Sequence, residues 1–98
     1  NMKIENSSLI GANLKSAKFS NSKIINTNME GTVLTDAKIT NTDIIGVNLK
    51  GANLENATLS NVDLTNSNLE QVNIINLKLE GVIFCNTVMP SGIRNDQC

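Results

Sequence analysis

The chain has 98 residues, the size of one domain, and a net charge of −1 with acids and bases interspersed. It contains no His, Trp or Tyr, which removes any His-based catalytic triad and any His-ligated zinc site. The even charge gives no electrostatic reason to bind nucleic acid or an anionic membrane, and no apolar run is long enough to span a bilayer.

The first predicted element begins at Ile4, and the same signal then recurs without a break. Every fifth residue is large and apolar: Ile4, Leu9, Leu14 and Phe19, then Ile24, Met29, Leu34 and Ile39, and so on to Phe84 and Met89. Two positions before each of these is usually a small residue, such as Ala12, Ala17, Thr27, Ala52 or Ser67. Five helical residues rotate the side chain by roughly 140°, so the series would smear around a helix. In a flat strand it would alternate between faces. Only a chain that changes direction once per repeat buries the whole series.

A longer period sets the number of sides. Gly11, Gly31 and Gly51 lie twenty apart, as do Asn1, Asn21, Asn41 and Asn61, and Ala17, Ala37 and Ala57. Four repeats therefore make one coil, and residue n stacks under residue n+20. Strand-like stacking spaces the coils by roughly 4.8 Å, so about four and a half coils give a rod on the order of 20 Å long. Such a solenoid buries a core only by stacking neighbours, here as aliphatic ladders with Phe19 and Phe84 as the only aromatics. Glycines and asparagines fall at the corners, where left-handed dihedrals suit them.

The run small–polar–Leu–x–x, as in Ala12-Asn13-Leu14-Lys15-Ser16 and Ala52-Asn53-Leu54-Glu55-Asn56, resembles the pentapeptide-repeat proteins. The resemblance covers residues 1–89. It implies an all-β, right-handed quadrilateral β-helix with both the large and the small residue pointing inward. The expected organisation is a β-helix over residues 1–89 and a C-terminal cap over 90–98. The chain begins at Asn1 already in repeat register, which reads as a processed or truncated product.

Toward the C-terminus the small position grows, to Val62, Val72, Leu77 and Val82. Leu77 is expected to stack on Ala57 and widen the coil. Pro90-Ser91-Gly92 reads as a turn that ends strand pairing. The last coil of a solenoid leaves an open edge, so the tail is expected to fold back across it, with Ile93 plugging the core and Ile83 and Val88 covered. Cys85 follows the inward Phe84 and so points outward, within reach of the tail that carries Cys98. A disulfide, two free thiols and a metal or redox pair are the readings open to these two residues. The segment FCNTVMPSGIRNDQC also resembles the C-terminal ends of cyanobacterial and chloroplast pentapeptide-repeat proteins of the thylakoid lumen. That resemblance implies a Cys85–Cys98 disulfide and a lumenal or periplasmic setting.

The outward residues offer little chemistry. Asp43 and Asp63 are expected to stack beside Lys23 and Ile83, as a solvated face in preference to a cation site. Glu30, Lys50 and Glu70 form an alternating charge ladder that favours correct register. Ile25 and Ile45 stack next to Lys23, and these three residues are the candidate interaction patch. Ile10 and Ile75 also face outward, on other sides. The expected function is a non-catalytic structural or protein-interaction module of the thylakoid lumen or periplasm. It is expected to be a monomer with a protein partner, no cofactor, no nucleic acid and no membrane insertion. The alternative is a DNA-mimicking, gyrase-interacting pentapeptide-repeat protein, a role that calls for a strongly acidic rod. Stacked Lys18 and Lys38 and the near-neutral charge argue against it.

Overall fold

A computed structural model describes residues 1–96 and 98. It shows one residue per repeat turning a corner with a positive φ. From Asn6 to Asn86 the second residue after each large apolar one has φ between 48° and 71°. This left-handed region costs an ordinary L-residue about 1–2 kcal/mol and suits Gly and Asn best. Asn and Gly fill most of the corners, with Ser16, Asp36 and Gln71 as the others. Corner chemistry therefore explains the abundance of Asn.

Between corners the chain is extended and stacks with a register of twenty. The strands are β1 (Lys3–Glu5), β2 (Lys18–Ser20), β3 (Lys23–Ile25), β4 (Lys38–Thr40), β5 (Asp43–Ile45), β6 (Thr58–Ser60), β7 (Lys78–Glu80), β8 (Thr87–Met89) and β9 (Gly92–Arg94). One parallel sheet runs β1-β3-β5 and an adjacent one β2-β4-β6-β7. Isolated bridges such as Asn13↔Val33, Asn28↔Asn48 and Asn53↔Asn73 line the other two sides. Every parallel partner lies twenty residues away, from Ile4↔Ile24 to Asn68↔Val88. The chain is thus the all-β, four-sided solenoid expected from its period.

Side-chain chemistry biases the choice between turn and strand without fixing it, since Asp43 and Thr58 carry acceptors and still head β5 and β6. Where Asn precedes the large apolar residue, its Oδ1 accepts the backbone N–H two residues on, as Asn13 does from Lys15, Asn48 from Lys50 and Asn73 from Ile75. The corner then tightens into a β-turn, with Ala17 N–H donating to Leu14 O and Ala52 N–H to Leu49 O. Lys, which offers no acceptor, stands at this position in β1, β2, β3, β4 and β7. Asp63 receives the same bond from Thr65, so the first side becomes a turn in the fourth coil. Val33 heads a turn without such a bond.

Both inward positions are buried through the middle of the rod. Leu34, Leu54 and Leu64 are almost fully buried, and Ala37, Ala52 and Ala57 completely so. Each large side chain gains roughly 1.5–3 kcal/mol from this burial. The axis retains a residual cavity of about 10 Å³, lined only by large apolar side chains from Phe19 to Leu69. That is too small and too apolar to hold ordered water. Inward hydroxyls bond to backbone: Thr27 Oγ1 donates to Ile25 O, and Ser67 Oγ donates to Ile44 O while accepting from Val47 N–H. Among the described residues, Thr32 Oγ1 is the buried side-chain polar atom left without a partner.

The last coil differs from the expectation of a fully covered end. Ile74 is 46 % exposed and Leu79 40 %, although both hold inward positions, because no coil lies above them. Phe84 and Met89 are buried. Met89-Pro90-Ser91-Gly92 turns the chain as the sequence predicts, and β9 pairs antiparallel with β8, Val88 opposite Ile93. The tail therefore lies along two sides and leaves the other two open.

Two outcomes test this account. Thr32→Val keeps the shape and removes a buried hydroxyl that bonds to nothing, so it should stabilise by about 1 kcal/mol in urea unfolding. A loss of stability would show that the hydroxyl has a partner. Gly51→Ala should cost about 1 kcal/mol through φ alone, since a Cβ there meets nothing within 4 Å. Gly46→Ala should cost more, because its Cβ would clash with Asn26 Oδ1. The excess should vanish in an Asn26→Ser background, and equal costs for both glycines would contradict the packing of Asn26 beneath Gly46.

Candidate functional site

With the interior filled, chemistry is confined to the outward columns. On the side built by β1, β3 and β5, one column reads Lys3, Lys23, Asp43, Asp63 and Ile83. The other begins Glu5, Ile25 and Ile45 and continues through Thr65 to Cys85. The structure thus brings the predicted patch together: Ile25 pairs with Ile45, and Lys23 pairs with Asp43. Both isoleucines are half-buried and Lys23 is exposed. Lys3 and Glu5 form an ion pair at 2.7 Å. The hydrogen bond from the ammonium to the Glu5 carboxylate, reinforced by its charge, raises the Lys3 pKa above the usual lysine value.

Asp43 and Asp63 are neighbours as expected. Asp63 Oδ1 accepts from both the N–H and the hydroxyl of Thr65, which commits it to its own turn. Among the described residues no cluster of three or more His, Cys, Asp or Glu gathers to hold a metal. Glu30, Lys50 and Glu70 flank the bridged column Asn28, Asn48 and Asn68, in the expected ladder. No ion pair forms between them: the pairs among the described residues are Lys3–Glu5 and Arg94–Asp96. Surface charges of this kind gain little from fixing one geometry in water. The side opposite that ladder, built by β2, β4, β6 and β7, carries Lys18, Lys38, Thr58 and Lys78 in one column.

At the C-terminal end Cys85 and Cys98 are bridged, with S–S 2.01 Å and Cα–Cα 5.0 Å. Of the three readings open to the pair, the disulfide stands. The plug is a correction. Ile93 is 68 % exposed and does not enter the core. Arg94 does the covering instead, its guanidinium 3.8 Å from the Phe84 ring centroid. An antiparallel partner of Val88 points Ile93 away from the tube, while the next residue reaches over the open end. Sequence reasoning missed Arg94, and an Arg near a chain end carries no signal of its own. Asn95 Oδ1 also accepts the Asn86 N–H. Val88 is half-buried beside Ile93, whereas Ile83 stays exposed. Leu77 is half-buried against the core and Lys78 N–H still donates to Ala57 O, so the larger residue leaves the register unchanged. Beside it Asn56, Asn76, Leu77 and Lys78 line a surface notch of about 370 Å³.

This geometry, a five-residue repeat on a four-sided coil, agrees with a family match. The Pentapeptide repeats model matches residues 4–36, 12–51 and 48–86, with eight copies. The chain is a pentapeptide-repeat protein. Its fold is similar to that of QnrB1, a plasmid-mediated fluoroquinolone resistance protein, with a TM-score of 0.75 at 14% identity, covering 84% of this chain and 46% of QnrB1. Two further solved structures match more loosely. One is HetL of the cyanobacterium Nostoc, involved in heterocyst differentiation regulation, at TM-score 0.49 and 18% identity over 87% of this chain and 52% of HetL. The other is a pentapeptide-repeat protein of the Arabidopsis thaliana thylakoid lumen, at 0.46 and 24% over 88% of this chain and 63% of that one. The chain thus spans about half the length of QnrB1 and of HetL. A search of curated protein sequences returns no match. At these identities the likeness concerns the fold of the pentapeptide-repeat chain and not its role.

Replacing the guanidinium tests the covering of Phe84. Arg94→Gln should lower stability by about 0.5–1 kcal/mol, the size of a partly exposed cation–π contact. It should speed hydrogen exchange in β8 and leave β3 to β6 unchanged. Unaltered exchange at Thr87–Met89 would remove Arg94 from this role.

Proposed function

We propose that this pentapeptide-repeat protein is a non-catalytic protein-interaction module of an oxidising compartment, the thylakoid lumen or a periplasm. The Cys85–Cys98 bridge carries the reading. Such bonds persist where thiols are not kept reduced, and the surrounding FCNTVMPSGIRNDQC segment resembles lumenal members of the family. The proposed contact surface is Lys23, Ile25 and Ile45. Strand pairing holds the two isoleucines side by side, and a small apolar area beside a lysine suits a protein partner. The protein acts as a monomer, with no cofactor and no nucleic acid.

The second reading, interaction with gyrase as a mimic of DNA, is supported by the fold shared with QnrB1. It is disfavoured by a net charge of −1 and by Lys18 stacked on Lys38, since a duplex mimic needs a continuous acidic surface.

The test compares the native chain with a Lys23→Glu/Ile25→Ser/Ile45→Ser variant as bait in a lumenal extract. At least a tenfold loss of the captured protein is expected for the variant, with the melting curve still cooperative. Equal capture by both would move the interface elsewhere. Inhibition of gyrase supercoiling by the native chain would favour the second reading.

A further inference from the structure

We infer that Cys98 is the point of attack for a dithiol reductant, and that its bond to Cys85 sets how much of the solenoid's C-terminal rim is open. The organisation proposed is a β-helix over residues 1–89 closed on two sides by a short cap over 90–98. The inference stands apart from the compartment and partner proposed above.

The last coil contains its own control. Ile74, Leu79, Phe84 and Met89 occupy the same inward position on successive sides. Ile74 and Leu79 are 46 % and 40 % exposed, whereas Phe84 and Met89, beneath the tail, are 4 % and 7 % exposed. The tail is therefore what buries the second pair. The disulfide is the one covalent hold on it. Among the described residues, β9 pairs with β8 over three residues, Ile93 contributes almost no burial, and Arg94 on Phe84 and the Asn95–Asn86 hydrogen bond add non-covalent contacts. Closing a loop across a sequence separation of 13 favours the docked tail by roughly 100-fold in the chain-entropy account.

The two sulfurs are not equivalent. Cys98 is exposed, and Cys85 is half-buried at the head of the column of Ile25, Ile45 and Thr65. A thiolate of the reductant attacks Cys98 Sγ. The Cys85–Cys98 bond breaks, and Cys85 Sγ leaves as a thiolate that takes a proton from water. The reductant's second thiolate then attacks its partner sulfur in the mixed disulfide, and Cys98 leaves as a thiolate and is protonated in turn. Two electrons pass to the protein, and the dithiol becomes a disulfide. With the tail released, Phe84 and Met89 become as exposed as Ile74 and Leu79. All four sides then present unpaired strand edges, the surface on which a further strand can pair.

Trypsin reads the state of the tail, because it cleaves after Arg94. The oxidised full chain is digested with and without dithiothreitol, and the fragments are reduced and weighed. Cleavage after Arg94 should be at least tenfold faster in the reduced chain, with cleavage after Lys38 and Lys50 unchanged. Cys98→Ser should match the reduced rate without reductant. A thioredoxin-type protein lacking its resolving cysteine should be trapped on Cys98. Equal Arg94 cleavage in both states would overturn the inference. So would acceleration at Lys38 and Lys50 together with Arg94, or trapping on Cys85.

Discussion

The structure depends on one left-handed residue in every five. Each such residue turns the chain through a corner, and four corners return it to the point above where it started. Only then do the backbone N–H and C=O groups of one coil meet those of the next, as Leu34 N–H meets Asn53 O and Asn53 N–H meets Thr32 O. The apolar ladders follow from the same regularity, since Leu34 lies under Leu54 only if no corner between them gains or loses a residue. The positive φ is locally unfavourable for most residues. It is sustained because the hydrogen bonds and the buried ladders are repeated at each coil.

This dependence on neighbours makes the ends the weak part of the molecule. A central residue such as Leu54 has a coil on each side, and Leu79 has one. At the C-terminus the protein does not add another coil. It uses an antiparallel strand, a guanidinium over an aromatic ring and a covalent bond, three devices found nowhere in the middle of the rod. They act on the two sides that carry Phe84 and Met89. The sides that carry Ile74 and Leu79 keep a free edge; on the Leu79 side it is marked by Lys78 and Glu80, charges of the kind that discourage pairing with another chain.

How much of this was legible in the sequence follows from which interactions repeat. The inward residues, the register of twenty and the corners recur many times, so Ile24 or Leu54 is placed by period alone. The turns were partly written in the residues, in the Asn before Leu14 and Leu49, although periodicity gave no reason to look there; Asp is ambiguous, since Asp63 heads a turn and Asp43 a strand. The tail occurs once. Ile93 looked like the plug because it is apolar, but antiparallel pairing with Val88 sets its direction, and hydropathy says nothing about that. Arg94 reaches Phe84 because of that same pairing. The Ile25, Ile45 and Lys23 patch was legible as a stack, since n and n+20 suffice for that, but not as half-buried, which depends on how neighbouring side chains lie across the face.

Stacking also separates what the fold requires from what function can use. The inward and corner positions are constrained by burial and by φ, which leaves the residues immediately before and after each large apolar one. On those positions Lys23, Asp43, Thr58 and Ile45 all sit in regular strands without disturbing the register. Solenoids of this kind can therefore share a fold at 14% identity while presenting unrelated surfaces. For a tube whose interior is dry and filled, identity of role has to be sought in the outward columns and in the irregular end, where Cys85, Arg94 and Cys98 depart from the repeat.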